Sequence, residues 1–199
     1  MAVSPAKKPA KQPLARKPRA DAERNRLRLL EAAKASFAKS GAATTLEEIA
    51  REAGVGIGTL YRHFPTRDAL VETVYRDALN RVSEDAERLM KIHPPVEALR
   101  QWLLLFIDYI STKKLMADLL AGLAGGPAAL YAQSGPKLKG AIASLVDRAK
   151  ASGDIQFQGE PFDLLMAVGG LGYGSTPTPG WEKRARGMVD ILIAGLKRR

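Results

Sequence analysis

The segment TTLEEIAREAGVGIGTLYRHFPTR, residues 44–67, leaves the chain around it little freedom. Thr45 followed three residues later by Glu48 is a capping box, so a helix is expected to start there. Ile49, Ala50 and Ala53 then recur at helical spacing and leave Glu47, Arg51 and Glu52 outward. Gly54 follows the last periodic residue, where a left-handed C-cap costs glycine least. Val55 and Leu60 can pack a second short helix back onto the first. Pro65 stops it, and Thr66 is placed to N-cap a third helix beginning with Arg67 and Asp68. Helix, glycine turn, helix is the plan of a helix-turn-helix, whose second helix enters the major groove of DNA.

TTLEEIAREAGVGIGTLYRHFPTRDAL resembles the signature of the tetracycline-repressor (TetR) family of bacterial transcription regulators. The TT pair, the IA-x-x-AGV core, GTLY, the HF pair and a basic residue soon after, Arg67, fall in order at fixed spacing. With the preceding helix the resemblance covers residues 24–75. It implies an N-terminal three-helix helix-turn-helix domain that binds DNA and a C-terminal helical domain that binds ligand and dimerises. The implied DNA-binding positions are Thr45, Gly56, Ile57, Gly58, Thr59, Tyr61, Arg62, His63 and Arg67, with Tyr61 and His63 on phosphates. Arg62 is expected to reach guanine or phosphate, and Arg67 is expected to be poised for a phosphate; for His63 the competing expectation is packing beside Phe64. Relatives often carry a polar residue where Gly56 and Ile57 stand. An apolar Ile57 can touch a thymine methyl but cannot donate a hydrogen bond.

Composition agrees with an anionic partner. The formal charge is +10, from 31 Lys+Arg against 21 Asp+Glu, which favours nucleic acid first and an acidic membrane surface second. Six of these excess cations (Lys7, Lys8, Lys11, Arg16, Lys17 and Arg19) lie in residues 1–20, which contain no acid and prolines at 5, 9, 13 and 18. That segment reads as a disordered basic tail, or as an arm adding phosphate or minor-groove contacts. No cysteine is present, which excludes disulfides and thiolate sites and fits a reducing cytoplasm, with association to the nucleoid. No apolar run approaches the ~20 residues that span a bilayer, and no signal peptide or membrane partner is expected. With two histidines and no carboxylate cluster, neither metal nor cofactor is expected. The glycines of GVGIGT and of GGLGYG (169–174) do not follow a strand, so a nucleotide loop is not supported.

The whole chain reads as all-α, with about nine helices. The expected divisions are a tail at 1–20, a helix-turn-helix domain at 21–67, a connecting helix at 68–93 and a helical domain at 94–199. In the first helix Leu27, Leu30, Ala33, Ser36 and Phe37 share a face, with Leu29 beside them; Arg24, Arg26 and Arg28 read equally as phosphate contacts or as a charged outer face. HPP at 93–95 should end the connecting helix. Beyond it lie an apolar stripe from Leu99 to Ile110, an apolar piece from Lys113 to Leu123, a helix over Pro136–Ala151, and two final helices separated by STPTPG. DIQFQ at 154–158 alternates but lacks an expected partner and reads as a loop.

The resemblance further implies a four-helix homodimer interface from the last two helices, with Gly169, Gly170, Tyr173, Met188, Ile191, Leu192 and Gly195 as candidates. Intrachain core is the competing reading of those faces. A small-molecule effector pocket is implied between the middle helices, with Trp102, Phe106, Met116, Leu120, Tyr131 and Met166 as lining candidates; Asp108 and Asp118 either meet a cationic ligand or face water. No nucleophile–base pair or paired carboxylates emerge, so catalysis is not expected. The function expected is a homodimeric repressor of a palindromic double-stranded operator, released by a small-molecule effector. The alternative is a DNA-bound architectural or cell-cycle scaffold without a ligand.

Overall fold

A computed structural model describes residues 17–173 and 180–198, with the side chains of 17–19 and 171–173 excepted. The basic residues 7–16 and most of the STPTPG linker therefore lie outside the described residues. Among those described, the chain forms nine α-helices and no strand. They are α1 (Lys17–Ser40), α2 (Leu46–Glu52), α3 (Ile57–His63), α4 (Arg67–Ile92), α5 (Pro95–Leu115), α6 (Ala117–Ala121), α7 (Ala128–Ala151), α8 (Pro161–Tyr173) and α9 (Trp181–Leu196). A 3₁₀ turn, Gly41–Ala43, joins α1 to α2.

Local signals set most boundaries. Gly41 ends α1 at φ 52°, and Thr66 caps α4 by accepting from the Ala69 N–H at 3.0 Å. His93 closes α4 before the proline pair, with Pro95 seated in the first turn of α5. Two boundaries and one backbone pairing depart from the sequence reading. α1 begins at Lys17, inside the expected tail, because Pro18 falls in the first turn, where its missing N–H is not required. α7 runs unbroken from Ala128 through Pro136, so that proline interrupts one internal bond rather than opening the helix. The 154–158 segment does find a partner, in the C-terminal residues. Ile155 bridges Lys197 antiparallel, the Gln156 N–H donates to Leu196 O at 2.8 Å, and the Arg198 N–H donates to Asp154 O at 3.0 Å.

α1, α2 and α3 pack around Leu29, Leu30, Ala33, Phe37, Ile49, Leu60 and Phe64, all buried. Leu29 occupies the inward position and Leu27 is exposed, the reverse of their expected weights. α4 serves both parts of the molecule: Leu70, Val71, Val74, Tyr75, Leu79, Val82, Ala86 and Leu89 form a buried seam along its 26 residues. α5 lies at the centre of the body and packs against α4, α7, α8 and α9. Its rings stack in series, Trp102 on Phe106 at 5.9 Å and Phe106 against Tyr109 at 6.0 Å. The Trp102 Nε1–H donates to Val82 O of α4 at 2.6 Å, so the buried indole has its partner.

Candidate nucleic-acid interface

The capping box forms as the sequence requires: Thr45 Oγ1 accepts from the Glu48 N–H at 3.2 Å, and the Thr45 N–H donates to Glu48 Oε2 at 3.0 Å. The Thr45 backbone N–H, and then its hydroxyl, hold the Glu48 carboxyl below the ordinary glutamate range. α2 ends in a Schellman turn. The Gly54 N–H donates to Arg51 O at 3.1 Å and the Val55 N–H to Ala50 O at 3.0 Å, with Gly54 at φ 64°. Arg28 of α1 reaches Gly54 O at 3.5 Å and Asn25 Oδ1 at 3.0 Å.

This turn delivers α3 with Leu60 fully buried and the opposite face in water. Gly56, Gly58 and Arg62 are exposed, Ile57 is 38% and Tyr61 46% exposed, and Thr59 is half-buried. His63 is half-buried with its ring 6.3 Å from that of Phe64, so it has a packing role and an accessible edge together. Thr45 sits at the surface but spends its hydroxyl on the cap.

Cations around α3 divide by whether they are already engaged. Arg24 pairs with Asp21, and Arg26 with Glu23 at 3.6 Å, each on its own helix. Among the described residues, Arg62 and Arg51 pair with no carboxylate. Arg67 has intrachain partners that the sequence reading did not include. Its guanidinium donates to Thr44 O and, at 2.9 Å, to Ala42 O, and lies 5.6 Å from the centre of the Phe37 ring. It braces the 3₁₀ turn and α1 against the first turn of α4 through two of its nitrogens.

A second tether joins α1 to α4 further along, where Arg81 donates to Glu31 at 2.5 Å and to Asp77 at 2.8 Å. The Glu31 hydrogen bond holds the Arg81 guanidinium further protonated than an ordinary arginine. On the body side, the Ala124 N–H beyond α6 donates to Asp68 of α4 at 3.3 Å.

The pocket candidates do not share one place. Trp102, Phe106, Met116 and Leu120 are buried in the body, and Tyr131 is half-buried with Lys113 Nζ 4.0 Å above its ring. Met166 faces outward from α8, 58% exposed, and so lies apart from those residues. Asp108 pairs with Arg186 of α9, and Asp118 is exposed. A groove of about 210 Å³ between α1, α4 and α5, lined in part by Lys34, Arg81, Asp85 and Asp108, is smaller than the ~300–1,000 Å³ of usual small-molecule sites. Among the described residues no group of three His, Cys, Asp or Glu could hold a metal, and no helix is long and apolar enough to cross a membrane.

The interface candidates also separate. Gly169 is buried, and a Cβ there would stand 3.8 Å from Phe106 and 3.9 Å from Ile110, so it belongs to the intrachain packing of α8 on α5. Gly170 and Gly195 are exposed, Met188 and Ile191 are 37% and 63% exposed, and Leu192 is half-buried against the core. The Tyr173 side chain is outside the described residues. α9 meets its own chain through Ala185, Val189 and Ile193, leaving its Met188–Ile191 side and Met166 of α8 uncovered.

One buried cluster has no counterpart among the sequence expectations. Tyr75 OH lies 2.7 Å from Tyr109 OH and 2.8 Å from Ser134 Oγ, joining α4, α5 and α7 through three hydroxyls. Ser134 also donates to Leu130 O at 3.2 Å. Two tyrosines inside otherwise apolar helical faces are the signal the sequence carries for it, since a buried phenol requires a partner.

Residues 29–74 match the family model described as bacterial regulatory proteins, tetR family, and residues 94–198 match that of the SbtR-like transcriptional regulator C-terminal domain. The chain is 35% identical over 98 residues to a probable HTH-type transcriptional regulator, ArpR, of Pseudomonas putida, covering 46% of this chain and 45% of that one. It is 28% identical over 92 residues to the HTH-type regulator UidR of Escherichia coli K12, covering 45% of this chain and 41% of that one. The matches thus span less than half of these relatives' lengths. Among solved structures, a TetR transcriptional regulator from Streptomyces coelicolor is 39% identical, with TM-score 0.78 over 86% of this chain and 98% of that one. A TetR regulatory protein from Mycobacterium vanbaalenii is 29% identical, with TM-score 0.71 over 90% and 99%.

Proposed function

This chain belongs to the TetR family of bacterial regulatory proteins, and from that membership we propose that it is a DNA-binding transcriptional regulator. It acts as a homodimeric repressor that holds a palindromic double-stranded operator and lets go when a small molecule binds. The observation that carries the reading is α3 itself, anchored by Leu60 and presenting Ile57, Gly58, Tyr61 and the uncommitted Arg62 on one open face. Gly56, Thr59 and His63 border that face, and Thr45 stands at the start of α2 beside it. Arg67 supports it from behind.

Two-fold symmetry follows from how such a face is used, since half-sites one helical turn apart require two copies of α3 ~34–36 Å apart, or a multiple of that. The outward side of α8 and α9, with Gly170, Met188, Ile191 and Gly195, supports pairing there. Trp102, Phe106, Met116 and Leu120 are packed in the body with Tyr131 at its edge, so an effector that enters among them has to part side chains that are buried in this state. α4 is packed in both parts of the molecule, so a ligand that favours one setting of α4 changes the spacing of the two α3 helices. The working divisions are residues 21–67 for DNA, 68–93 for the connecting helix and 94–199 for ligand and pairing.

Selection of bound sites from random duplexes with the full chain tests this reading. An inverted repeat is expected, bound by a species that sediments as a dimer, and Ile191→Asp is expected to weaken both. A small-molecule screen is expected to find a compound that raises the melting temperature and releases that duplex. A monomer without preference among duplexes at physiological ionic strength ends the reading; a dimer that binds a preferred site but has no releasing ligand moves it to a scaffold.

A further inference from the structure

We propose that Ile57 is a specificity-determining residue that reads the C5-methyl group of a thymine in each half-site, making recognition by the first turn of α3 apolar. The inference rests on the DNA-binding reading above and adds which base feature is read. The N-terminal turn of a recognition helix is the part that meets base edges. In this chain that turn is Gly56, Ile57, Gly58 and Thr59. Gly56 caps the helix with no side-chain bond, Gly58 adds no side chain, and Thr59 is half-buried. Ile57 is therefore the one large side chain the turn offers to a groove, and it has neither donor nor acceptor.

The two glycines are not forced by crowding within the chain, since a Cβ at either would meet nothing within 4 Å. Nor does the backbone demand glycine at position 56, where φ is −70°. What their missing side chains supply is clearance on both sides of Ile57, so that it projects beyond its neighbours. An isoleucine left 38% exposed gains only if something apolar covers it. The major-groove edge of a base pair has one apolar group, the thymine methyl. Polar contacts are displaced one turn along, to Tyr61 and Arg62, four residues after Ile57 and Gly58.

The test uses the full chain and the duplex it selects. Each thymine of the half-site is replaced in turn by deoxyuridine, which deletes only the methyl, and binding is measured at fixed salt. One position is expected to weaken binding about fourfold when substituted in one half-site, and about fifteenfold in both, the scale of burying a methyl group. In Ile57→Ala the thymine-to-deoxyuridine ratio at that position is expected to fall to near one, while the urea midpoint stays that of the parent because residue 57 is on the surface. Exchanging that T·A pair for C·G is expected to weaken binding, and 5-methylcytosine to recover about fourfold. Binding that is indifferent to every methyl, or a methyl effect undiminished in Ile57→Ala, overturns the proposal while leaving DNA binding intact. Failure to select any duplex overturns it together with the function it rests on, and is told apart by the parent protein's own lack of preference.

Discussion

Arg67→Met separates a brace from a phosphate contact. The substitution keeps an unbranched apolar stem, shorter by about the guanidinium group, and removes two hydrogen bonds, to Thr44 O and to Ala42 O, and a cation held over the Phe37 ring. A hydrogen bond to a charged group is worth ~1.5–3 kcal/mol, and the half-buried setting of Arg67 places both at the lower end. Thr44 is itself buried, so its carbonyl loses a partner that water replaces poorly. With ~0.5 kcal/mol for the ring contact, the loss comes to about 3.5 kcal/mol. In a domain of this size that lowers the melting temperature by roughly 7–14 °C. Urea and thermal unfolding measure the loss directly. Operator binding, measured well below the transition across a salt series, then distinguishes the roles. Each phosphate contact contributes about 0.9 to the slope of log K against log salt. Arg67→Met is expected to keep the parent slope, and Arg62→Met to flatten it by about two, one contact in each protomer, if Arg62 holds a phosphate, with stability unchanged within about 0.5 kcal/mol. An Arg67→Met protein that unfolds with the parent yet loses about two units of slope would refute the brace.

Gly54→Ala places a side chain at φ 64° and is expected to cost ~1–2 kcal/mol in urea unfolding, whereas Gly56→Ala, at φ −70°, is expected to leave the midpoint nearly unchanged. Tyr75→Phe removes the hydroxyl shared by Tyr109 and Ser134 and is expected to cost ~1–3 kcal/mol; coupling with Tyr109→Phe in a double-mutant cycle checks that the two act together. Because Thr45 holds the Glu48 carboxyl below its ordinary range, the folded state gains from its ionised form above that range, and loses this as pH falls through the lowered value. Glu48→Gln is therefore expected to reduce the loss of stability on acidification, and pH-dependent urea midpoints identical to the parent's would contradict this.

Short-range chemistry is the part of the fold that can be read directly from the order of the residues. The capping box at Thr45, the left-handed Gly54 and the Thr66 cap each depend on residues within four positions, and each is observed. Arg67 escapes such a reading because its partners at 42 and 44 are set by how α4 meets the 3₁₀ turn, which no local spacing encodes. The same holds for Ile155, whose partner is 42 positions away at Lys197. That Gly169 and not Met166 lies against α5 is not legible in the sequence, because α8 is apolar on nearly every side and periodicity cannot say which side meets α5. At Pro136 a dependable local signal is overridden by tertiary packing, with Leu130 and Leu138 buried on either side of it.

The hydroxyl knot of Tyr75, Tyr109 and Ser134 limits how α4 can travel. Greasy surfaces permit small slippage at little cost, but two short oxygen–oxygen contacts tolerate only tenths of an ångström before they part. Creeping along its own axis would leave three oxygens stranded in a dry interior, so α4 either stays in register at this point or leaves it altogether. Tyr75 lies eight residues past Arg67, which makes it a fulcrum with a short arm toward the DNA-facing helices and a longer one, to Ile92, within the body. Any swing of α4 about this point would therefore be smaller beside Arg67 than at Ile92, in proportion to the two arms.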